Sequence, residues 1–338
     1  HPVTITTKHN LSNVLYLLDR HQISRLPVLE GRRVVGMISR GDIIRAEANY
    51  LNCESFPNQP KIKPSYTVYQ TQSPSVGRGR LLVLVANPET ADTLLQLAAI
   101  IAKNNHYEIE CLQVITISRH NNPAETPVKT APSRKLLLSA EIIGKKWNIP
   151  VHTQIRVAHE VANATLETIK ERHIDTVLMG WKGSTDTPGR IFGNVIDTII
   201  RQATCELLLV KIGNSSNFAD FKRCLVPMAG GPNSKIALKL LPALISSNNE
   251  LEIGLTQVFS LSEEIDMSVL KAAEKLLINK YKLSSKIKAT SIKTDSVSEG
   301  VINLVNTKGF DLVVLGASRE GMLQQAMNGN IPEAIASG

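Results

Sequence analysis

An internal repeat constrains the fold of this 338-residue chain more than any other feature. Residues between Asn105 and Val114 recur 144 residues later, and residues between Asp175 and Asn194 recur 136 residues later. The offset shrinks by eight, so we expect the first copy to have the longer middle loop, in the Pro-rich stretch 118–132. Two copies of one domain therefore follow each other. The recurring residues are Asn105/Asn249, Glu108/Glu252, Ile109/Ile253, Gln113/Gln257 and Val114/Val258, then Asp175/Asp311, Val177/Val313, Gly180/Gly316, Gly193/Gly329 and Asn194/Asn330.

Each copy alternates short apolar runs with stretches of helical periodicity. Runs that are apolar on both faces are typical of a parallel sheet with helices on both sides, so we predict an α/β fold. The second copy begins at Cys224 and ends before a counterpart of the first copy's last strand. We therefore expect it to be truncated and the chain to be a piece of a longer protein. In the first copy the predicted strands are Leu81–Val85, Ile109–Ile115, Val151–Val157, Thr176–Met179 and Glu206–Ile212, and the predicted helices are Ala91–Lys103, Arg134–Trp147, Val161–Arg172 and Val195–Gln202.

The first 50 residues lie outside the repeat. They read as a short strand, a helix, two strands around a turn at Glu30–Gly31, and a second helix. Residues 51–78 contain Pro, Ser, Gln and Asn with little periodicity, which predicts a linker. The predicted domains are thus 1–50, 79–213 and 220–338, with the linker after the first.

Charge and cysteine content exclude several classes of protein. Of the net charge of +8, residues 1–80 carry +6, from 11 basic and 5 acidic side chains, so no basic stripe runs along the molecule and we expect no nucleic-acid partner. Four cysteines without a C-x-x-C pair are too few for a disulfide framework and indicate reduced thiols in a cytosolic compartment. No apolar stretch approaches the roughly 20 residues of a membrane helix.

A glycine-rich loop follows the fourth predicted strand of the first copy. It reads Gly180-x2-Gly183-x9-Gly193-Asn194 and ends where a helix begins. Ligands of open α/β sheets bind at the carboxyl ends of strands, where free N–H groups and the helix dipole favour a phosphate. Alternatively, the glycines make turns and Asn194 caps the helix. The residues predicted to bind are Gly180, Lys182, Gly183, Ser184, Arg190, Gly193, Asn194 and Val195.

The spacing of this loop resembles the nucleotide-binding signature of universal stress proteins. The resemblance covers residues 79–338 twice and implies two tandem Rossmann-like domains that bind ATP, ADP or AMP, with Mg as a possible companion of ATP. Members that bind ATP carry an Asp at the end of the first strand, where this chain has Ala86 and Ala229. In the second copy Arg319 replaces the second glycine, and the matching residues are Gly316, Gly329 and Asn330.

The N-terminal segment resembles a CBS (cystathionine β-synthase) domain. The similarity rests on His21–Val28 and on the element Gly36-Met37-Ile38-Ser39-Arg40-Gly41-Asp42. It implies that Ser39 and Asp42 hold the ribose of an adenosine ligand. The alternative is that Ser39 caps the following helix and Asp42 lies in its first turn. CBS repeats work in pairs, so the resemblance implies a second repeat as a partner.

The domain order, together with residues 43–52 and Ser65–Thr71, is similar to the soluble tails of cyanobacterial ClC-type chloride channels and antiporters. This resemblance implies a regulatory region that senses adenine nucleotides at the cytoplasmic face of the membrane. The implied partners are an upstream transmembrane ClC domain and a second copy of the chain in a homodimer. A soluble stress-response protein is the alternative. Pairing through the last strand, Glu206–Ile212, within or between chains is also implied.

The sequence lacks a constellation of catalytic residues. The eight histidines are scattered without H-E-x-x-H spacing, so we expect no metal site. Neither a G-x-S-x-G elbow nor a G-x4-G-K-[S/T] loop is present. We therefore expect a binding protein and not an enzyme, with an ATPase or phosphotransferase as the third hypothesis.

Overall fold

The computed structural model of the chain describes residues 3–6, 14, 17–18, 20–21, 23–31, 33–43, 65–183, 191–213, 218–228, 231–281, 286–318 and 335. These form two compact units, His1–Lys63 and Pro64–Gly338.

The N-terminal unit contains a three-stranded sheet in the order β1-β2-β3. β1 (Ile5–Thr6) is parallel to β2 (Arg25–Glu30), which is antiparallel to β3 (Arg33–Ser39). The two antiparallel strands meet at a tight turn, where Gly31 has a φ of 62°, a conformation that favours glycine. One small core holds the unit together, and it consists of Ile5, Val14, Leu18, Leu26 and Ile43.

The second unit begins with a six-stranded sheet in the order β4-β7-β6-β5-β8-β9. The five strands from β5 to β9 are parallel, as the sequence predicts, and the remaining strand, β4, is antiparallel to β7. The strands are β4 (Ser65–Thr71), β5 (Gly79–Leu84), β6 (Tyr107–Thr116), β7 (Val151–Ala158), β8 (Thr176–Trp181) and β9 (Glu206–Lys211). The helices are α1 (Pro88–Asn105), α2 (Ala131–Trp147), α3 (Val161–Arg172) and α4 (Asn194–Gln202).

Helices cover both faces of this sheet. Alternate residues of a strand point to opposite faces, so Leu81 and Val83 pack under α1 and α2, while Leu82 packs under α3 and α4. The α/β prediction with a sheet covered on two sides is confirmed.

β4 differs from the prediction, which assigns residues 51–78 to a linker. Ser65–Thr71 instead pairs with the outer edge of β7, with a register shift between Thr67 and Tyr69. The β-branched and aromatic residues of the segment Ser-Tyr-Thr-Val-Tyr-Gln-Thr favour a strand. Arg134 of α2 lies 4.5 Å above the ring of Tyr69 and holds one side of the strand.

The second copy has a smaller parallel sheet in the order β12-β11-β10-β13. Its strands are β10 (Arg223–Pro227), β11 (Glu252–Phe259), β12 (Ile287–Lys293) and β13 (Leu312–Val313). Its helices are α5 (Gly231–Ser247), α6 (Ser268–Tyr281) and α7 (Val297–Lys308). The order β12-β11-β10-β13 repeats the order β7-β6-β5-β8 of the first copy, as expected for a repeat.

The two copies share one continuous apolar core. It contains Leu94 and Ile101 of α1 together with Leu238 and Leu241 of α5. The resemblance to universal stress proteins implies pairing through Glu206–Ile212. In the part of the chain that the structure describes, β9 pairs with β8 alone and the sheets stay separate, while Leu208, Val210 and Ile212 pack onto the shared core. Within the described residues, side-chain packing therefore joins the copies without strand pairing.

No described helix combines the length and apolar content needed to cross a membrane.

Candidate functional site

The carboxyl ends of β5 and β8 form the candidate site. These strands are hydrogen-bonded neighbours, yet the chain leaves β5 for β6 on one side and reaches β8 only later on the other. Such a reversal of strand order opens a crevice at the carboxyl ends of the strands, where open α/β sheets bind their ligands. The predicted glycine-rich loop begins at this crevice.

Gly180 supplies the open floor of the crevice. It lies within β8, in register with Val210 of β9, and it is exposed although its strand neighbours Met179 and Trp181 are buried. A Cβ built on Gly180 would meet no atom within 4 Å. A flat ligand group can therefore approach the backbone here without displacing protein atoms.

Two further glycines shape the loop. Gly183 has a φ of 89° and Gly193 a φ of 102°, values that side chains rarely tolerate. A Cβ on Gly183 would lie 2.8 Å from Cε of Lys211, so this lysine side chain passes directly beside the glycine. Lys182 is exposed next to it. The site therefore has positive charge at its rim, as a phosphate requires.

The N-terminus of α4 points its free N–H groups towards the end of the loop. Gly193 is the N-cap, without a side-chain cap, and Asn194 is the first helical residue. The alternative role of Asn194 as the cap is therefore wrong, since the chain turns at Gly193, whose positive φ excludes most side chains there. Asn194 and Val195 are both exposed. Uncapped N–H groups at a helix start favour an anion.

The residue that anchors this loop escaped the sequence analysis. Asp197 of α4 is 1% exposed and accepts the backbone N–H groups of Ile191 at 3.1 Å and Phe192 at 3.0 Å. Phe192 in turn stacks edge-on against Trp181, with 5.1 Å between ring centroids. The position of Asp197 on the apolar face of an amphipathic helix was the sequence feature that could have identified it as an anchor of the loop.

The end of β5 offers no acidic group for an adenosine. Ala86 is exposed there, as the sequence indicates, and the next residue, Asn87, uses its side chain to accept the N–H of Glu89 at 3.0 Å. Asn87 therefore caps α1 and is already engaged.

Several predicted site residues lie outside the described residues: Ser184 and Arg190 in the first copy, and Gly329 and Asn330 in the second. Gly316, the counterpart of Gly180, is described and follows the short strand β13. The structure therefore brings Gly180, Lys182, Gly183, Gly193, Asn194 and Val195 to one edge of the sheet.

In the N-terminal unit, Ser39 and Asp42 bond to each other. Ser39 donates its N–H at 2.9 Å and its hydroxyl at 2.7 Å to the carboxylate of Asp42, and its oxygen accepts the N–H of Asp42 at 3.2 Å. This reciprocal arrangement caps the helical residues 40–43, which was the alternative to ribose binding. Ribose binding by this pair stays a prediction.

Among the residues that the structure describes, no group of three His, Cys, Asp or Glu side chains converges on a position where a metal ion could be held. The expectation that the chain needs no metal of its own stays a prediction.

Comparisons with known protein families agree with this architecture. Residues 77–211 match the universal stress protein family, and residues 1–49 match the CBS domain. The first match covers β5 to β9 with the whole glycine-rich loop, and the second covers the N-terminal sheet.

Two curated proteins are similar in sequence. The Na(+)/H(+) antiporter NhaS5 of Synechocystis is 22% identical over 264 residues, which are 78% of this chain and 37% of the antiporter. A universal stress protein of Methanocaldococcus jannaschii is 25% identical over 118 residues, 33% of this chain and 69% of that protein. The chain thus spans little more than a third of the antiporter's length.

Solved structures share the fold. A universal stress protein from Archaeoglobus fulgidus has a TM-score of 0.54 at 13% identity, and the match covers 76% of this chain and 92% of that one. A protein of unknown function from Pseudomonas aeruginosa has a TM-score of 0.50 at 13% identity, covering 78% and 89%. The chain therefore consists of a CBS domain, a universal stress protein domain and a second, smaller sheet with the same strand order.

Proposed function

We propose that this chain is a regulatory region that binds an adenine nucleotide in its first universal stress protein domain and thereby biases a membrane ion transporter. The open floor at Gly180 carries the proposal. The exposed glycine, the neighbouring positive charge and the uncapped N-terminus of α4 together provide a surface for a phosphate-bearing ligand.

The link to a transporter rests on similarity. The chain resembles a stretch of a Na(+)/H(+) antiporter over 78% of its own length, and its domain order resembles the tails of ClC-type proteins. Both resemblances point to a soluble region attached to a membrane domain. The transported ion, chloride in our sequence-based prediction, is the finer part of the proposal. A nucleotide regulates such a transporter only when its affinity differs between two transporter states.

The nucleotide site is tested by calorimetric titration of ATP, ADP and AMP into the chain and its variants. Gly180→Val adds a side chain to open space, so it fills the crevice without a clash in the fold. Gly36→Val is the matched control, since Gly36 is also a strand glycine with open space around it, in the N-terminal unit. We expect at least a tenfold loss of affinity with Gly180→Val and none with Gly36→Val.

The same titration separates the two candidate sites. Loss of binding with Asp42→Ala, and not with Gly180→Val, would move the nucleotide to the CBS domain. The absence of binding for all three nucleotides would overturn the proposal.

We further propose that the nucleotide is a ligand and not a substrate. Among the described residues no group of three His, Cys, Asp or Glu side chains could hold a metal ion, and the carboxylate beside the loop, Asp197, is engaged by two backbone N–H groups. An assay of ATP turnover tests this, and turnover that disappears with Gly193→Val would overturn it.

A stress-response protein without membrane attachment is the second candidate, favoured by the universal stress protein fold of the match from Archaeoglobus fulgidus. Fractionation of cells that produce the full-length protein decides between the two candidates. Recovery with the membranes after a carbonate wash supports the transporter, and recovery in the soluble fraction supports the second candidate.

A further inference from the structure

The side of β4 that faces α3 is polar. Ser65 accepts a hydrogen bond from Nη1 of Arg156 at 3.0 Å and donates to Glu167, and Gln70 accepts from Nη2 of Arg172 at 3.0 Å. Charged side chains therefore hold β4 on this face of the sheet. Most of the other strands are instead held there by apolar packing against α3 and α4.

The seat is a cluster of three guanidinium groups and four carboxylates between β4, the sheet and α3. Arg156 pairs with Glu167 at 3.2 Å and with Glu171, and Arg80 pairs with Glu108 at 3.1 Å. The charged groups around the buried carboxylate of Glu110 are Arg80 from β5, Glu108 from β6, His152 and Arg156 from β7, and Glu167, Glu171 and Arg172 from α3, while β4 contributes only hydroxyls and amides.

His152 is hydrogen-bonded through both ring nitrogens. Its Nδ1 accepts the backbone N–H of Ser73 at 3.2 Å, so its proton is on Nε2, which donates to Glu108 at 3.0 Å. The three arginines then face four carboxylates. The cluster is electrically balanced when one of the carboxylates holds a proton.

Glu110 is the carboxylate best placed to hold that proton. It is fully buried, with Oε1 accepting from Gln154 at 3.0 Å and lying 3.7 Å from Nε of Arg172. Its Oε2 has no hydrogen-bond partner among the described residues. A buried oxygen without a donor cannot stabilise a full negative charge, so the neutral acid is favoured.

The second copy provides an internal comparison. Gly254 stands where the first copy has Glu110, and the ring of Phe310 covers it, since a Cβ there would lie 2.7 Å from the ring. Ile292 takes the place of Arg156, as the strand registers show. In the described part of this copy β12 pairs only with β11. The polar cluster is thus found in the first copy, which has the additional strand β4, and is replaced by apolar residues in the second copy.

Solvent reaches the seat through a cavity of about 180 Å³ between β4, β7 and α3. Gln154 and Arg172, the two partners of Glu110, are among its lining residues. A water molecule occupies about 30 Å³ in the liquid, so the cavity has room for water that exchanges protons with the cluster.

We propose that this seat is a proton-responsive latch: β4 stays on the sheet while Glu110 holds a proton and loosens when Glu110 loses it. Burial raises the pKa of Glu110 above its ordinary value of 4.5, against the attraction of Arg172 and Arg80 and the hydrogen bond from Gln154. The seated state therefore binds more protons than the released state above pH 4.5, and its stability falls as the pH rises through the titration of Glu110.

The latch goes beyond nucleotide binding. β4 is the outermost strand beside β7, so its release would leave β7 as the edge of the sheet. The latch lies on the face of the sheet under α3, whereas the nucleotide site lies at the carboxyl ends of β5 and β8. One can fail without the other.

Hydrogen exchange of the β4 amides, measured without nucleotide between pH 4.5 and 9, tests the latch. Protection factors, which remove the chemical pH dependence of exchange, are compared between β4 and β11. Between pH 4.5 and the titration midpoint of Glu110, we expect β4 protection to fall by up to about tenfold per pH unit while β11 protection stays constant. Glu110→Gln should make β4 protection independent of pH, and the exposed control Glu264→Gln should behave as the unmodified chain.

A second measurement keeps the test valid should Glu110→Gln fail to fold. The carboxyl-carbon NMR shift of Glu110 in the unmodified chain should titrate above pH 4.5, and the loss of β4 protection should level off near the midpoint of that titration. Protection of β4 that does not change with pH, an unchanged slope in Glu110→Gln, or a Glu110 midpoint at or below 4.5 would each overturn the latch.

Discussion

The carboxylate of Asp175 accepts the backbone N–H of Arg80 at 2.8 Å, and this contact ties the start of β8 to the start of β5. The second copy repeats it, because Asp311 accepts the N–H of Arg223 at 2.9 Å. The arginine side chains are equivalent as well: Arg80 donates to the carbonyl oxygen of Arg172, and Arg223 to that of Lys308. The internal repeat is thus preserved as a set of polar contacts at the amino ends of the strands.

We predict that Asp175→Ala destabilises the first copy by about 1–3 kcal/mol, because it leaves the N–H of Arg80 without its acceptor. Asp311 accepts the N–H groups of both Lys222 and Arg223, but all three residues are exposed, so water can replace the carboxylate and Asp311→Ala should cost less. Urea unfolding measures both, with the exposed Asp92→Ala as the control. Equal losses for the two substitutions would contradict the role of burial.

The repeat made much of the fold predictable. Apolar runs on both strand faces define a parallel sheet, and the offsets of 144 and 136 define a second copy of it. β4 was not predictable in this way, because its inner face is polar and alternation alone does not distinguish such a strand from a linker. Its partners, Arg156 and Arg172, lie 91 and 102 residues away in the sequence from the β4 residues that they contact.

The candidate site was likewise predictable only where it depends on local sequence patterns. Glycine spacing after a strand predicted a loop between β8 and α4, and Gly180 and Gly193 lie at its two ends. The anchoring by Asp197 was missed, because a buried carboxylate on a helix is explained only by the backbone N–H groups that it accepts, and these belong to a loop. Local patterns identify which residues permit a ligand, and tertiary contacts decide which residues hold the loop in place.

A second prediction concerns Asp197. Asp197→Ala removes the acceptor for the N–H groups of Ile191 and Phe192, so the end of the glycine-rich loop should loosen. We expect faster hydrogen exchange at residues 191–193 and a nucleotide affinity at least tenfold weaker, with the structure of β8 unchanged. Thr198→Ala, on the same helix and partly exposed, is the control. Unchanged exchange at 191–193 would show that Asp197 does not anchor the loop.

Gly144 gives a test of packing between α2 and β7. A Cβ at this position would lie 2.3 Å from Cγ2 of Val151 and 3.0 Å from the carbonyl oxygen of Ile149. Gly144→Ala should therefore destabilise the domain by about 1–3 kcal/mol, despite the better helix propensity of alanine. Thermal unfolding measures the loss, and Lys145→Ala, exposed on the same helix, should have little effect. A stability gain with Gly144→Ala would mean that the helix end shifts freely.

The buried thiol of Cys224 should be inert. Burial raises its pKa to about 12, and the pKa of the buried Cys111 thiol is raised as well. The thiolate is the reactive form, so iodoacetamide at pH 8 should leave both cysteines unmodified in the folded chain and modify both in urea. Mass spectrometry of the peptides measures the extent. Rapid modification of Cys224 without denaturant would show that β10 opens in the native protein.

The last prediction is the response of Glu108 to acid. Burial alone would raise the pKa of this carboxyl. Hydrogen bonds from the backbone of Gly77 and from the side chains of His152 and Arg80, together with the charge of Arg80, outweigh burial and hold the pKa below its ordinary value of 4.5. The folded state then binds fewer protons than the unfolded state near that pH. The stabilisation by Glu108 is complete above pH 4.5 and is lost as the pH falls through the lowered pKa.

Urea unfolding between pH 7 and pH 3 measures this loss. Glu108→Gln should be less stable at pH 7 and should lose less stability than the unmodified chain on acidification. The sign is opposite to that of Glu110, whose contribution weakens as the pH rises, although the two carboxylates lie two residues apart on one strand. A Glu108→Gln chain with the same acid sensitivity as the unmodified chain would show that other carboxylates dominate the response.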